Sequence, residues 1–421
     1  MNLSGQIEQH LSLQLRNLVR HISQQAAQRG ERVYVVGGMV RDMLLGQRPL
    51  GPGLRFDLDL VVEGHAVNLA QQVAETTEAR LVIHRRFGTA KLRHESFVLD
   101  IATARTEHYA RPGALPAVVP GNIKDDLARR DFSINAMAIS LDLEDYGDLI
   151  DPHQGKNDLQ HRLIRVLHPK SFRDDATRIL RAARYEQRLG FRLEARTAQL
   201  LERDIPMLDT ISGDRIRHEL QLTLQEEQPE LTIKRLADLE VLPRISPSLK
   251  GDGWLAAKFN LARRLTKASQ LPSLYFCLLV YSLSERALQQ SLTRLNIPTR
   301  LARALRDTLR LKAALSPLDR PSLKPSEIYS QLHQYDILAI QANAIASDSP
   351  MVRRNLELFL NRLRRVKTAL DGEELKELGI PAGPEMGKVL QLLHKAKLDG
   401  EVRTRAEEIR LVRSVSPKLE R

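Results

Sequence analysis

The sequence predicts an α+β fold in which the strands come first and helices make up the remainder. Three observations carry this. The apolar run Val33–Val36 ends at Gly37-Gly38, as a short buried strand ends at a sharp turn. Asp57-Leu58-Asp59-Leu60 alternates with period two, as a half-buried strand does. From Phe172 onward the apolar spacing becomes helical and stays so. At 421 residues the chain is long enough for two to four compact units.

Taken in order, Ile7, Leu11, Leu15, Leu18 and Ile22 recur at helical spacing and predict one amphipathic helix over residues 3–27. After the strand at Val33–Val36, the glycine pair allows the backbone to approach a bulky anion closely. A helical turn over Met39–Leu45, stopped by Gly46, would present free amides and Arg41 to that anion. In the next strand Asp57 and Asp59 share one face and Leu58 and Leu60 the other. Like charges so close repel unless a cation joins them, and hard oxygen ligands beside a phosphate seat suggest Mg2+. An isolated D-x-D is more often the polar face of an edge strand.

A helix over Ala66–Ala79 and strands over Arg80–His84, Thr89–Arg93 and Phe97–Thr103 follow. Asp100, on the last strand, could add a third carboxylate that deprotonates an attacking hydroxyl or holds a second metal; a structural strand aspartate is the alternative. Residues 104–120, with three prolines and a glycine, read as a loop. In Asp125–Ile139, Arg129 and Arg130 stand beside Asp131, and arginine binds phosphate oxygens through a rigid fork of donors, although such a triplet also serves as a surface ion pair.

The helix expected from Ser171 places Asp175, Arg178, Arg181 and Arg184 at three-residue steps. A carboxylate only accepts hydrogen bonds and a guanidinium only donates them. Asp175 with Arg178 would therefore complement the pairing edge of adenine or cytosine and clash with guanine or uracil. A helix surface laced with ion pairs is the plainer reading of the same residues.

G-G-M-V-R-D followed by D-L-D resembles the head signature of the class II tRNA nucleotidyltransferase and bacterial poly(A) polymerase superfamily, relatives of the polymerase-beta fold. The resemblance implies a polymerase-beta-like head on a small mixed sheet, followed by an all-helical neck, body and tail. It divides the chain into an N-terminal helix (1–28), head (29–150), neck with a base-selecting helix (151–225), body (226–345) and tRNA-binding tail (346–421). R-R-D-F-S-I-N-A-M-A is similar to the family's R-R-D-F-T-x-N-A. It implies that Arg130 touches triphosphate or sugar while Asp131 and Asn135 shape the pocket, and that Gly37, Gly38 and Arg41 hold triphosphate. D-D-A-T-R aligns with E-D-x-x-R, implying that Asp175 and Arg178 read the base and that Arg181 and Arg184 lie near triphosphate or template. Asp174 stands where many members carry Glu, so any buttress for the arginine has a shorter arm.

R-T-E-x-Y-x-x-P-G-A-L-P-x-V resembles the flexible loop of A-adding members. Ile150–Arg165 resembles the connection out of the head and is read as a hinge; Ile211–Leu224 resembles the neck helix, in which Arg215 and Glu219 are read as structural. Asp371–Gly400 resembles the tail of long bacterial members. The implied reaction is addition of AMP, or of CMP as well, from ATP or CTP to the 3′ end of tRNA, with Mg2+ on Asp57 and Asp59. A poly(A) polymerase, a small-molecule nucleotidyltransferase or a non-catalytic RNA-binding protein are the alternatives.

Net charge +12 with 4% aromatics favours attraction to phosphate backbones over base stacking. Arg303, Arg306, Arg310 and Lys312 form one candidate basic face, and Arg353, Arg354, Arg362, Arg364, Arg365 and Lys367 another. Trp254, Phe259 and Phe276 are expected core anchors. The single cysteine, Cys277, sits in an apolar run and excludes an internal disulfide or a Cys-based zinc site, as suits a reducing cytoplasm. No signal-peptide pattern and no membrane-length apolar run is evident.

Overall fold

The computed structural model describes residues 1–47, 56–84, 88–95 and 97–415, with the side chains of Phe56 and Asp57 also outside the description. The chain forms two compact units, Met1–Glu219 with Asp238–Arg244, and Leu220–Ala237 with Ile245–Arg421.

The first unit opens with α1 (Ser4–His10) and α2 (Leu13–Ala27), two helices where the spacing predicted one. The chain is extended at Leu11 and Ser12, and the Ser12 hydroxyl caps α2 by accepting from the Leu15 amide at 3.3 Å. The apolar stripe survives the break because Ile7, Leu11, Leu15, Leu18 and Ile22 are all buried.

β1 (Arg32–Val36) ends at Gly37, whose φ of 70° is a conformation glycine adopts without strain, and α3 (Gly38–Leu44) follows at once. Next come β2 (Phe56–Glu63), α4 (Ala66–Thr76), β3 (Arg80–His84), β4 (Thr89–Arg93) and β5 (Phe97–Thr103), the last three at the predicted bounds. Residues 104–120 are not a plain loop. They form an antiparallel hairpin of β6 (Arg105–His108) and β7 (Ala117–Pro120), a correction that follows from β6 having partners only across the turn. After α5 (Ile123–Ala128) come β8 (Ala138–Ser140) and β9 (Leu149–Ile150).

The main sheet runs β3-β4-β5-β2-β1-β8-β9. Its pairs are antiparallel except for β2 with β5, which are parallel and connected through α4, β3 and β4, so the sheet is mixed. Leu58 and Leu60 face the core while Asp59 is exposed, as the period-two pattern requires.

Beyond the sheet lie α6 (Gly155–Gln160), β10 (Leu163–Ile164), α7 (Ser171–Asp174), α8 (Thr177–Leu189), β11 (Arg192–Leu193), α9 (Ala195–Asp204) and α10 (Gly213–Leu224). Two details correct the sequence reading. β11 pairs in parallel with β10 over two residues, too few to show a period. The helix expected from Ser171 breaks at Asp175, which is extended at φ −140° and ψ 99°. The segment from 150 to 165 is fastened to the head: Asp151 accepts from the amides of Gly155 and Lys156 at 2.6 and 3.0 Å, and Ser133 donates to Asp158 at 2.5 Å.

The second unit is helical throughout its described elements. One core gathers Leu311, Ile328, Leu332, Ile340, Leu356 and Phe359; another gathers Leu370, Leu375, Ile380, Leu393 and Val412. Phe259, Phe276 and Cys277 are buried, but Trp254 is only half-buried and stacks on Tyr281, with ring centroids 5.6 Å apart. Arg303, Arg306, Arg310, Arg362, Arg364, Arg365 and Lys367 are exposed. Among the described residues no helix is long and apolar enough to cross a membrane.

Candidate active site

A cavity of about 490 Å3 opens in the first unit between the glycine turn, the hairpin and α8. Gly37, Gly38 and Asp59 line one side, Arg129, Arg130, Asp131 and Asn135 another, and Asp175, Thr177, Arg178, Arg181 and Tyr185 a third. Glu107, Tyr109 and Glu219 complete it.

The two arginines are displayed by a buried acid. Asn122 and Asp125 form a capping box that starts α5, and the fully buried Asp126 on that helix accepts from Arg129 at 2.6 Å and from Arg130 at 3.0 Å. Arg130 Nη1 reaches the glycine turn, where a Cβ on Gly37 would stand only 2.9 Å from it. Asp131 accepts the Phe132 amide at 2.8 Å and the Asn135 amide at 3.1 Å on one oxygen, and both Nε and Nη2 of Arg181 on the other, at 2.9 and 2.6 Å. Burial would raise the Asp131 pKa; the charge and hydrogen bonds of Arg181, with the Asn135 amide, outweigh it and hold the carboxyl below its ordinary value.

Asp175 and Arg178 both face the cavity. Among the described residues Asp175 accepts through Oδ1, from the Thr177 amide at 2.9 Å, the Thr177 hydroxyl at 2.6 Å and Arg215 at 2.7 Å. Arg178 is buried, and its Nη1 and Nη2 donate to Ser171 Oγ at 2.7 Å and to the Arg129 carbonyl at 2.5 Å. An accepting and a donating group thus stand side by side, as the base-edge argument requires.

Three expected site residues lie outside the lining. Arg41 is 2% exposed and turned inward, donating to Asp42 and to Asn135 Oδ1, each at 2.8 Å. Its guanidinium packs on the Tyr185 ring at 5.3 Å, so it braces Asn135 from behind. Arg184 is buried and donates to Glu219 at 2.9 Å. At about 100° per residue, six positions carry it roughly 240° around the helix from Arg178, away from the shared face. Asp100 stands in register opposite Asp59 on the parallel neighbour, yet its carboxylate is paired with Lys91 at 2.8 Å. Asp57 belongs to β2, but its side chain lies outside the described residues. Among the described residues no three acidic, histidine or cysteine side chains form a metal-binding group.

Sequence reasoning missed Glu107, Tyr109, Thr177 and Tyr185 as cavity residues and read Glu219 as structural only. The Glu107 side chain, 7% exposed, accepts from Arg105 at 3.0 Å, Arg129 at 3.1 Å and the Tyr109 hydroxyl at 2.7 Å. Burial, then the hydrogen bond to Glu107, raises the Tyr109 pKa, so the phenol keeps its proton. The signal lay in the R-T-E-H-Y wording of the hairpin, where an acid and an aromatic alternate with cations.

A mixed sheet carrying acidic residues beside a glycine turn, faced by arginines and an accept-and-donate pair, defines a nucleotide-handling head. Residues 33–165 match the poly A polymerase head domain, and residues 190–252 match the probable RNA and SrmB-binding site of polymerase A. The A-adding tRNA nucleotidyltransferase of Geobacter sulfurreducens is 35% identical over 90% of this chain, which spans only 44% of that protein's length. The A-adding tRNA nucleotidyltransferase of Halalkalibacterium halodurans is 34% identical over 94% of this chain and 91% of its own. The Thermotoga maritima CCA-adding enzyme, solved in complex with tRNA, superposes with a TM-score of 0.72 at 30% identity, covering 99% of this chain and 98% of that one. The chain belongs to the tRNA nucleotidyltransferase and poly(A) polymerase family.

Proposed function

We propose that this chain transfers AMP from ATP to the 3′ end of tRNA, without a nucleic-acid template, and releases pyrophosphate. The observation that carries the reading is one enclosure containing Asp59, the Gly37-Gly38 turn, Arg130 and the Asp175–Arg178 pair. In the proposed reaction the oxygen of the tRNA 3′-hydroxyl forms a bond to the α-phosphorus and gives up its proton to solvent as the bond to the bridging α–β oxygen breaks, releasing pyrophosphate. Arg130 donates to triphosphate oxygens, held in place by Asp126. Asp175 accepts from the exocyclic amine of adenine while Arg178 donates to the ring nitrogen.

Mg2+ fits the donors present. Asp59 is exposed at the cavity wall beside the glycine turn, and a carboxylate oxygen is a ligand Mg2+ favours. Asp59 and Asp57 would hold it, while Asp100, paired with Lys91 outside the cavity lining, is left as a strand carboxylate. When bound, Mg2+ supplies stabilisation of charge on the attacking and leaving oxygens.

Adenine is favoured over the full C, C and A sequence by the A-adding names of the Geobacter and Halalkalibacterium relatives. The exposed cations of the second unit would neutralise tRNA phosphates without reading sequence. Such a substrate implies a cytoplasmic protein. The test incubates the full chain with tRNA ending before CCA, after one C or after both, with ATP or CTP separately. AMP incorporation only after both C residues is expected. CMP incorporation on the shortest tRNA would overturn the A-only reading, and inactivity on all three would overturn the tRNA assignment.

A further inference from the structure

In the wording this chain resembles, the residue before the base-reading aspartate is Glu; here it is Asp174. Asp174 does not buttress Arg178. Its carboxylate lies 3.8 Å from His168 Nε2, and no hydrogen bond or ion pair joins it to Arg178. The guanidinium is instead held at both ends by neutral acceptors. Ser171 Oγ takes Nη1 at 2.7 Å and the Arg129 carbonyl takes Nη2 at 2.5 Å.

That contrasts with the next arginine on α8. Arg181 is held by the carboxylates of Asp131 and Glu219, which neutralise it. Among the described residues no carboxylate pairs with Arg178, and its Nη1 also donates to the Ser171 carbonyl at 3.5 Å. Ser171 is 1% exposed and sits at the first position of α7, on the far side of the chain break at Asp175. The Ser171 hydroxyl, with the longer contact of its carbonyl, therefore ties the guanidinium plane to the helix whose C-cap is Asp175.

We propose that Ser171 is a positioning residue that sets the plane of Arg178 and so decides discrimination of adenine from guanine. The proposal rests on the functional reading above for the identity of the ligand. With the plane fixed, guanine meets carboxylate with carbonyl and guanidinium with N–H, both mismatched. With Nη1 released from the hydroxyl, the guanidinium can tilt about its remaining contact with the Arg129 carbonyl, the donor can leave the mismatched N–H, and the penalty falls.

Calorimetric titration of the full chain with ATP and with GTP tests this without requiring transfer to tRNA. The ATP-to-GTP affinity ratio should fall on the order of tenfold in Ser171→Ala, about the worth of one hydrogen bond to a charged group. Ser171→Cys, which keeps the volume and offers a poor acceptor, should behave alike, and Ser171→Thr should restore the ratio. Asp174→Ala should stay within about twofold of the unmodified chain. In tRNA assays the Ser171→Ala loss should appear in KM for ATP more than in kcat. An unchanged ratio in both Ser171→Ala and Ser171→Cys, or an equal loss in Asp174→Ala, overturns the proposal. Selective ATP binding without transfer to any tRNA would instead overturn the functional reading and leave this one standing.

Discussion

Arg130 Nη1 occupies the space beside Gly37 that a side chain there would need: an added Cβ would lie 2.9 Å from it. The residue that ends β1 and the arginine displayed past α5 are therefore built around each other. The φ of 70° at Gly37 adds a second reason for glycine.

Gly37→Ala should consequently act twice. The backbone at φ 70° and ψ −131°, a region open to glycine, costs roughly 1–3 kcal/mol for alanine, and the methyl group displaces the arginine that meets triphosphate. Stability in denaturant should fall by about that amount, while kcat/KM for ATP should fall on the order of a hundredfold. A variant with unaltered kcat/KM would separate Arg130 from nucleotide binding.

Asp59 is exposed, so its removal leaves the core untouched. Asp59→Asn should keep the melting temperature within a few degrees and reduce Mg2+-dependent pyrophosphate release by roughly a thousandfold or more. Chelation of divalent cations should silence the unmodified protein to the same extent. Retained activity in the variant would remove Asp59 from the chemistry.

Asp131 links stability to pH. Its pKa in the folded state is lowered: burial opposes ionisation but Arg181 overrides it. The contribution is fully present above the unfolded carboxyl value of about 3.9 and is lost as pH falls through the lower folded value. Asp131→Asn should cost about 2 kcal/mol at pH 7, since it leaves Arg181 with Glu219 alone, and the gap should close below about pH 4. A gap that widened in acid would contradict the pairing.

Burial pushes the Cys277 thiol up to about 12. The native protein should resist alkylation at pH 8 and take up one equivalent of reagent when denatured, since the chain has one cysteine. Reaction of the native thiol as fast as that of the denatured one would show that the helix around Leu274–Val280 opens.

Much of this was legible in local patterns. The strand bounds at Arg80–His84, Thr89–Arg93 and Phe97–Thr103, the inward Leu58 and Leu60 and the glycine turn follow from a two-residue period and from backbone sterics, which act between near neighbours. Hydrogen bonds between segments far apart in sequence do not. The break at Asp175, the inward turn of Arg41 and the hairpin at 105–120 each depend on partners that spacing cannot reveal, such as Asn135 for Arg41 and Arg215 for Asp175.

By itself the sequence determined the elements and the chemistry available: an acidic strand, a glycine bend, and an arginine-rich run after the head. Only the tertiary structure decided which of those charges reach the cavity and which are spent on one another. Arg178 and Arg184 are the same residue on the same helix, yet one is held by a hydroxyl and a carbonyl at the cavity wall and the other by the buried Glu219. A side chain's role is set by the groups that meet it after folding, because a buried cation must find hydrogen-bond acceptors, charged or neutral, wherever the chain places it.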